Sequence, residues 1–282
     1  MPAVDVWGQL QQLFAYHFMV NALLAGTIVA VSAGTIGWFM VLRGQSFAGH
    51  TLSQVGFPGA AGAALVGVNP GLGLLVFCVA GALGIAALGD RRSVERRFEA
   101  AGIGSILAFA LALGFLFARL YQGFVGGVQA ILFGTFLGIS DAQVEVLLAS
   151  SVVAVLMIGV LARPLLFASV DPDTAAARGV PVRVLSVAFL LVLGVGVAEA
   201  AQITGTLLVF ALLVAPAATA QQLTVRPSLS VALSVLVALL VTWVGLAVAF
   251  WSGLPVGFWV TTIAFALYLG ARGLRASGVV RG

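Results

Sequence analysis

The stretch Ser228–Phe250, SLSVALSVLVALLVTWVGLAVAF, contains no charged side chain. A helix needs about 20 mainly apolar residues, within a range of roughly 17–25, to cross the hydrocarbon core of a bilayer. This stretch has that length and is bounded by Arg226 on one side and Ser252–Gly253 on the other. It reads as a membrane span. The rest of the chain has the same character: of 282 residues, 62% are hydrophobic and 8% charged, whereas a soluble domain carries about 25% charged residues to wet its surface. Disorder is excluded by the same balance, because a disordered chain needs few apolar and many charged residues.

Applied outward from that stretch, the template predicts nine spans, at approximately 16–41, 51–68, 72–89, 101–119, 142–162, 183–198, 204–220, 228–250 and 255–272. The second, third, sixth and seventh are short or Gly-rich, so eight is the alternative count. The expected fold is an all-α polytopic membrane protein, one domain over 1–282 with about 16–272 in the bilayer.

The 13 basic residues are all arginine, and they test the count independently, since cytoplasmic loops are enriched in Lys and Arg. With the N-terminus outside, the inner loops hold Arg43; Arg91, Arg92, Arg96 and Arg97; Arg163, Arg178 and Arg183; Arg226; and Arg272, Arg275 and Arg281. Only Arg119 falls outside. The predicted orientation is N-out, C-in. Scattered over short loops, these arginines do not form the stripe that a nucleic-acid partner requires. No cleavable signal peptide is expected, because Asp5 and no basic region precede the first apolar stretch. The lone Cys78 lies in an apolar run, which excludes disulfides and thiolate metal clusters. Between the fourth and fifth spans, Gln122–Ser140 is uncharged and broken by glycine, and is expected to form an interfacial or re-entrant helix over the outer mouth.

Motifs of self-contained chemistry are missing. There is no His-Glu-x-x-His, no phosphate-binding Gly-x-x-x-x-Gly-Lys-Ser/Thr and no Gly-x-Ser-x-Gly. Proton-driven carriers place Asp, Glu, His or Arg in mid-span as relays, and the spans here are almost free of them. Three places remain. In Gly49–Gly59, His50, Ser53 and Gln54 fall at i, i+3 and i+4, one helix face; they either line a wet cavity or form a polar helix start at the headgroups. Glu199, with Gln202 and Thr204, falls where the sixth span turns into the seventh, as a cation-attracting group at the outer side or a plain solvated acid. Finally, Ser169–Arg183 reads as one short cytoplasmic helix. Asp171 suits its N-cap, Pro172 its first position and Gly179 its C-terminal stop, and Pro181 prevents continuation. That helix is either a docking surface for a cytoplasmic partner or a tidy connection.

In their order and spacing these segments resemble the metal-importer permeases of the ABC-3 family. That family's early motif, Gly-Asp-x-x-Ser-His-x-x-x-Pro-Gly, aligns with Gly49 through Gly59, and a helix beginning Asp-Pro aligns with Asp171–Pro172. Its Gly-x-Leu-Leu-Val-x-Ala-Leu-Leu-x-x-Pro-Ala-Ala-Thr-Ala segment aligns with Gly205 through Ala220. The similarity runs from about 20 to 272. It implies a type II ABC importer permease-like fold and a role as the membrane subunit of an importer for zinc, manganese or iron. The subunit would have no ATPase site and bind no cofactor, ATP being used by a partner. The implied partners are a cytoplasmic ATP-binding-cassette ATPase, an extracytoplasmic solute-binding protein and a second copy of the chain, in the inner (plasma) membrane of a prokaryote. The resemblance also places His50, Ser53, Gln54 and Glu199 along the substrate pathway, with His50 as a metal ligand. Residues 170–182 become the ATPase-coupling helix, represented by Asp171, Pro172, Asp173, Ala175, Arg178 and Gly179.

The family's Asp and His fall on His50 and Gln54 here. Imidazole suits late first-row ions and an amide is a poor ligand for any of them, so three readings follow: a relaxed path with selectivity supplied by the binding protein, a different metal, or a non-metal substrate. The alternatives are a siderophore, haem or vitamin importer permease, a non-transporting membrane scaffold and an intramembrane enzyme.

Overall fold

The computed structural model describes residues 16–88, 96–121, 134 and 138–277. Among them lie nine long helices and one short one. They are α1 His17–Leu42, α2 Ser46–Leu65, α3 Pro70–Leu88, α4 Arg96–Leu120, α5 Asp141–Val170, α6 Pro172–Ala177, α7 Val182–Thr204, α8 Thr206–Leu223, α9 Pro227–Ser252 and α10 Val256–Ala276. Each expected span has its helix. The 122–140 segment lies outside the described residues except for Gly134 and 138–140, as do Arg91, Arg92 and Arg281.

Seven of these helices are long and apolar enough to cross a membrane by length and composition, while α2 is not among them and α8 contributes only the shorter apolar stretch Val209–Leu223. Enclosure explains α2. It is packed by α3, α4, α7 and α8, and its His50–Gln54 segment is half-buried to buried. A polar residue in a membrane helix is tolerated where protein, not lipid, surrounds it. The helix also starts earlier than expected, at Ser46, because Gly44 takes a left-handed φ of 66° and lets the chain reverse out of α1 within three residues.

Small residues set the spacing of the bundle, as in other membrane helix pairs. On α1, Gly37 lies against the Leu213 backbone of α8 and Gly34 against Val235 of α9. The Ser234 hydroxyl donates to the Gly34 carbonyl at 2.7 Å. On α2, Gly59 meets the backbone of Gly73 on α3, and Gly56 packs on Leu74 and Cys78. The Cys78 thiol is spent on the Leu52 carbonyl at 3.4 Å.

Polar contacts gather at the two ends. At one end Asn21 of α1 donates to Asp141 at 2.6 Å and to the Ile139 carbonyl at 3.1 Å, with His17 3.1 Å from the same carboxylate. At the other, Arg43 after α1 reaches Ser169 of α5 and Ser186 of α7, and Arg275 of α10 donates to Gln222 of α8 at 3.0 Å. Alternating helix directions put Arg43, Arg178, Arg183, Arg226 and Arg275 at this one end, and Arg119 at the opposite end.

Candidate functional site

Gln45 precedes the first turn of α2, and from there His50, Ser53 and Gln54 follow at one-turn spacing. The structure does not use them alike. The Ser53 side chain is fully buried and its hydroxyl donates to the His50 carbonyl at 2.7 Å, so it is turned back onto its own helix. His50 is half-buried, its Nδ1 has no hydrogen-bond partner, and its ring meets Phe210 edge-on at 5.0 Å between centroids. Gln54 is 6% exposed. A residue immersed at the headgroups would keep its ring nitrogens in water, and the buried Nδ1 does not fit that description. Phe210 belongs to the Gly205–Ala220 segment of α8, so two motifs distant in sequence meet here.

Glu199 departs from its expected place. The helix of the sixth span continues through Ala198, Ala200 and Ala201 to Thr204, because nothing interrupts it before Gly205, whose φ is 77°. Glu199 therefore lies inside α7 and is 3% exposed. One carboxylate oxygen accepts from the Ser151 hydroxyl of α5 at 2.8 Å, and the other is buried without a partner. It is no solvated loop acid. Gln202 is exposed near the end of α7, and the buried Thr204 hydroxyl donates to the Ala200 carbonyl at 2.9 Å.

The α6 helix forms as its punctuation implies. Asp171 accepts from the Thr174 amide at 3.0 Å and from the Thr174 hydroxyl at 2.6 Å, which together hold its carboxyl below the usual carboxylate range. Pro172 takes the first turn, Arg178 is the C-cap, and Gly179 has a φ of 83°. Such a cap contributes about 1 kcal/mol to a short helix. Asp173, Thr174, Ala176, Ala177 and Arg178 are exposed. Ala175, named among the coupling residues, is fully buried and joins the core formed with α5 and α7. A six-residue helix seated on two long ones must spend one side chain on its seat, and the sequence pattern alone did not say which.

Among the described residues no group of three His, Cys, Asp or Glu could hold a metal ion. An imidazole nitrogen and an amide are suited to a passing ion rather than a captured one, and conduction favours sites weak enough to release.

The chain is 33% identical over 215 residues, 76% of its length and 73% of the relative's, to a manganese transport system membrane protein, MntC, of Halalkalibacterium halodurans. It is 30% identical over 265 residues, 93% of its length and 88% of the relative's, to the chelated iron transport system membrane protein YfeC of Yersinia pestis. A chain in the structure of PsaBC from Streptococcus pneumoniae in complex with Fab superposes with a TM-score of 0.84 at 26% identity, covering 94% of this chain and 95% of that one. The ABC 3 transport family profile matches residues 15–274, and the chain belongs to that family.

Proposed function

We propose that this protein is the membrane-spanning permease of an ATP-binding-cassette importer for a divalent first-row metal ion, with manganese and iron the first candidates. The observation that carries this reading is the superposition over 94% of the chain on a PsaBC subunit at a TM-score of 0.84, together with relatives named for manganese and chelated iron transport. The ion is delivered by an extracytoplasmic solute-binding protein and driven by a separate cytoplasmic ATPase that docks on the exposed side of α6. The chain uses no cofactor of its own. It acts as a homodimer in the inner membrane of a prokaryote, N-terminus outside and C-terminus inside.

Within the permease, His50 and Gln54 form the polar stretch of the route and Phe210 covers the imidazole. Neutral ligands at these positions fit a path in which the binding protein sets selectivity and the permease provides passage. Glu199 offers the route a buried carboxylate nearer its outer side.

The test is ATP-dependent uptake by the complex reconstituted in vesicles, across manganese(II), iron(II) and zinc(II). Uptake of at least one of these ions that stops without ATP or the binding protein is the expected result. His50→Ala lowers uptake with expression unchanged, and Gln54→His slows release of the ion by restoring a second imidazole. Failure of all three ions, with a chelate transported instead, overturns the metal assignment; wild-type uptake by His50→Ala removes His50 from the route.

A further inference from the structure

Arg43 is the residue whose surroundings the transport reading leaves unexplained. It is the C-cap of α1 and is half-buried. Its Nη2 donates to the Ser186 hydroxyl at 2.6 Å, its Nη1 to the Ser169 hydroxyl at 3.1 Å, and its Nε to the Gln45 amide oxygen at 3.3 Å. The guanidinium carbon stands 5.3 Å from the centre of the fully buried Phe189 ring. An arginine that only marks the cytoplasmic face extends its head to water. This one turns inward among helices.

The identity of its partners gives it meaning. Ser169 lies two residues before Asp171, the cap of α6, and Ser186 lies in the α7 segment that receives the chain after α6. Both roots of the short helix are therefore held by one guanidinium. Gln45 is the N-cap of α2, and α2 carries His50 and Gln54. Four long helices, α1, α2, α5 and α7, meet at this group. Arg and not Lys is needed for such a junction, since only a planar fork presents several donors at once in fixed directions.

Its charge has no carboxylate partner among the described residues. It sits instead where α1 and α5 both end, and the negative ends of two helix dipoles favour a cation there. Its hydrogen-bond acceptors are all neutral, and a neutral acceptor holds a cation less tightly than a carboxylate would. Bonds of that kind can be broken and remade within a transport cycle.

We propose that Arg43 is a positioning residue that transmits displacement of α6 to α2 and so links ATP use to the state of the His50–Gln54 stretch. The proposal rests on the reading of α6 as the ATPase contact. The bonds to Ser169 and Ser186 make the end of α1 follow the roots of α6, and the bond to Gln45 passes the shift to the first turn of α2.

The experiment uses the full complex of permease, ATPase and binding protein in vesicles, with manganese(II), iron(II) and zinc(II) each supplied as the probe. It reads ions imported per ATP hydrolysed, stimulation of hydrolysis by the binding protein, and copurification of the ATPase. In Arg43→Gln the ATPase stays bound and hydrolysis continues, while ions per ATP and stimulation fall about tenfold, the scale of one lost charge-assisted hydrogen bond. Arg43→Lys recovers part of the loss. Ser186→Ala lowers the ratio less, and adding it to Arg43→Gln makes nothing worse, because both act through one contact. A wild-type ratio in Arg43→Gln, or a loss that only parallels a lower melting temperature and is not partly rescued by Lys, overturns the proposal. If Arg43→Gln does not assemble, the Ser169→Ala/Ser186→Ala double variant decides, and an unchanged ratio there overturns it equally. Ala177→Asp, on the exposed side of α6, separates the two readings: release of the ATPase upholds α6 whatever Arg43 does, and retention with an unchanged ratio means the α6 reading itself has failed.

Discussion

Replacing Gly59 by alanine tests whether the close seam between α2 and α3 holds α2 in place. A Cβ at Gly59 would stand 2.6 Å from the Phe77 Cβ and closer still to the Gly73 carbonyl oxygen. Ordinary contact begins at 3.4 Å, so the shortfall is roughly 0.8 Å at Phe77 and larger at the carbonyl. The obstacle is backbone, which cannot rotate away as the tip of a side chain can, so the two helices must separate. Overpacking of this sort costs typically 1–3 kcal/mol, and the rigid obstacle puts this site near about 3 kcal/mol. For a chain of this size that corresponds to a fall in melting temperature of roughly 5–10 °C. The control is Gly159→Ala on α5, where a Cβ meets nothing within 4 Å and alanine gains helix propensity of up to about 1 kcal/mol. The assay is thermal unfolding of the purified complex beside ion uptake. Gly59→Ala should melt earlier and lose uptake, while Gly159→Ala should melt no earlier than wild type. Equal melting and uptake for Gly59→Ala and wild type would refute the argument that backbone contact at this seam sets the position of α2.

Cysteine labelling from either side of the membrane should place residue 95 and the exposed position 177 in the cytoplasm and residues 70 and 253 outside; labelling of 95 and 177 from opposite sides defeats the topology. Asp171→Ala removes the acceptor of both Thr174 contacts and should weaken α6 by about 1 kcal/mol, read as faster amide exchange over 173–178, with Asp171→Asn close to wild type. Unaltered exchange in the alanine variant counts against the cap. Ser151→Ala strips Glu199 of its hydroxyl partner and should destabilise the protein by about 1–3 kcal/mol, the cost of a buried acceptor left unmade; Ser151→Thr should restore the loss, and a melting temperature that does not move in the alanine variant argues against the contact.

Much of this molecule was legible without coordinates. Each predicted span has its helix, since a span needs only enough consecutive apolar residues, and that is a property of the local chain. The α6 helix was readable for the same reason: a cap, a first-turn proline and a terminal glycine act within a few residues of one another. Glu199 was misplaced by the same kind of reasoning. The apolar count weakened toward the end of the sixth span, and a charged residue there looked like a turn, yet helix continuation depends on the absence of a breaker before Gly205, and burial depends on Ser151 across the bundle.

What the sequence by itself determined was that most of the chain is apolar enough to be solvated by lipid, where each long helix lies, which ends share the arginines and where the short capped helix between α5 and α7 sits. The tertiary structure alone decided what those helices present to one another. Ala175 faces inward, the Ser53 hydroxyl is spent on its own helix, His50 meets Phe210, and Arg43 gathers Ser169 and Ser186 from 126 and 143 residues away. No periodicity encodes such pairings. Helix formation in a bilayer follows from satisfying each backbone group within its own segment, whereas the facing of two helices follows from where glycines and alanines let backbones approach, and that is settled only when all the helices pack together.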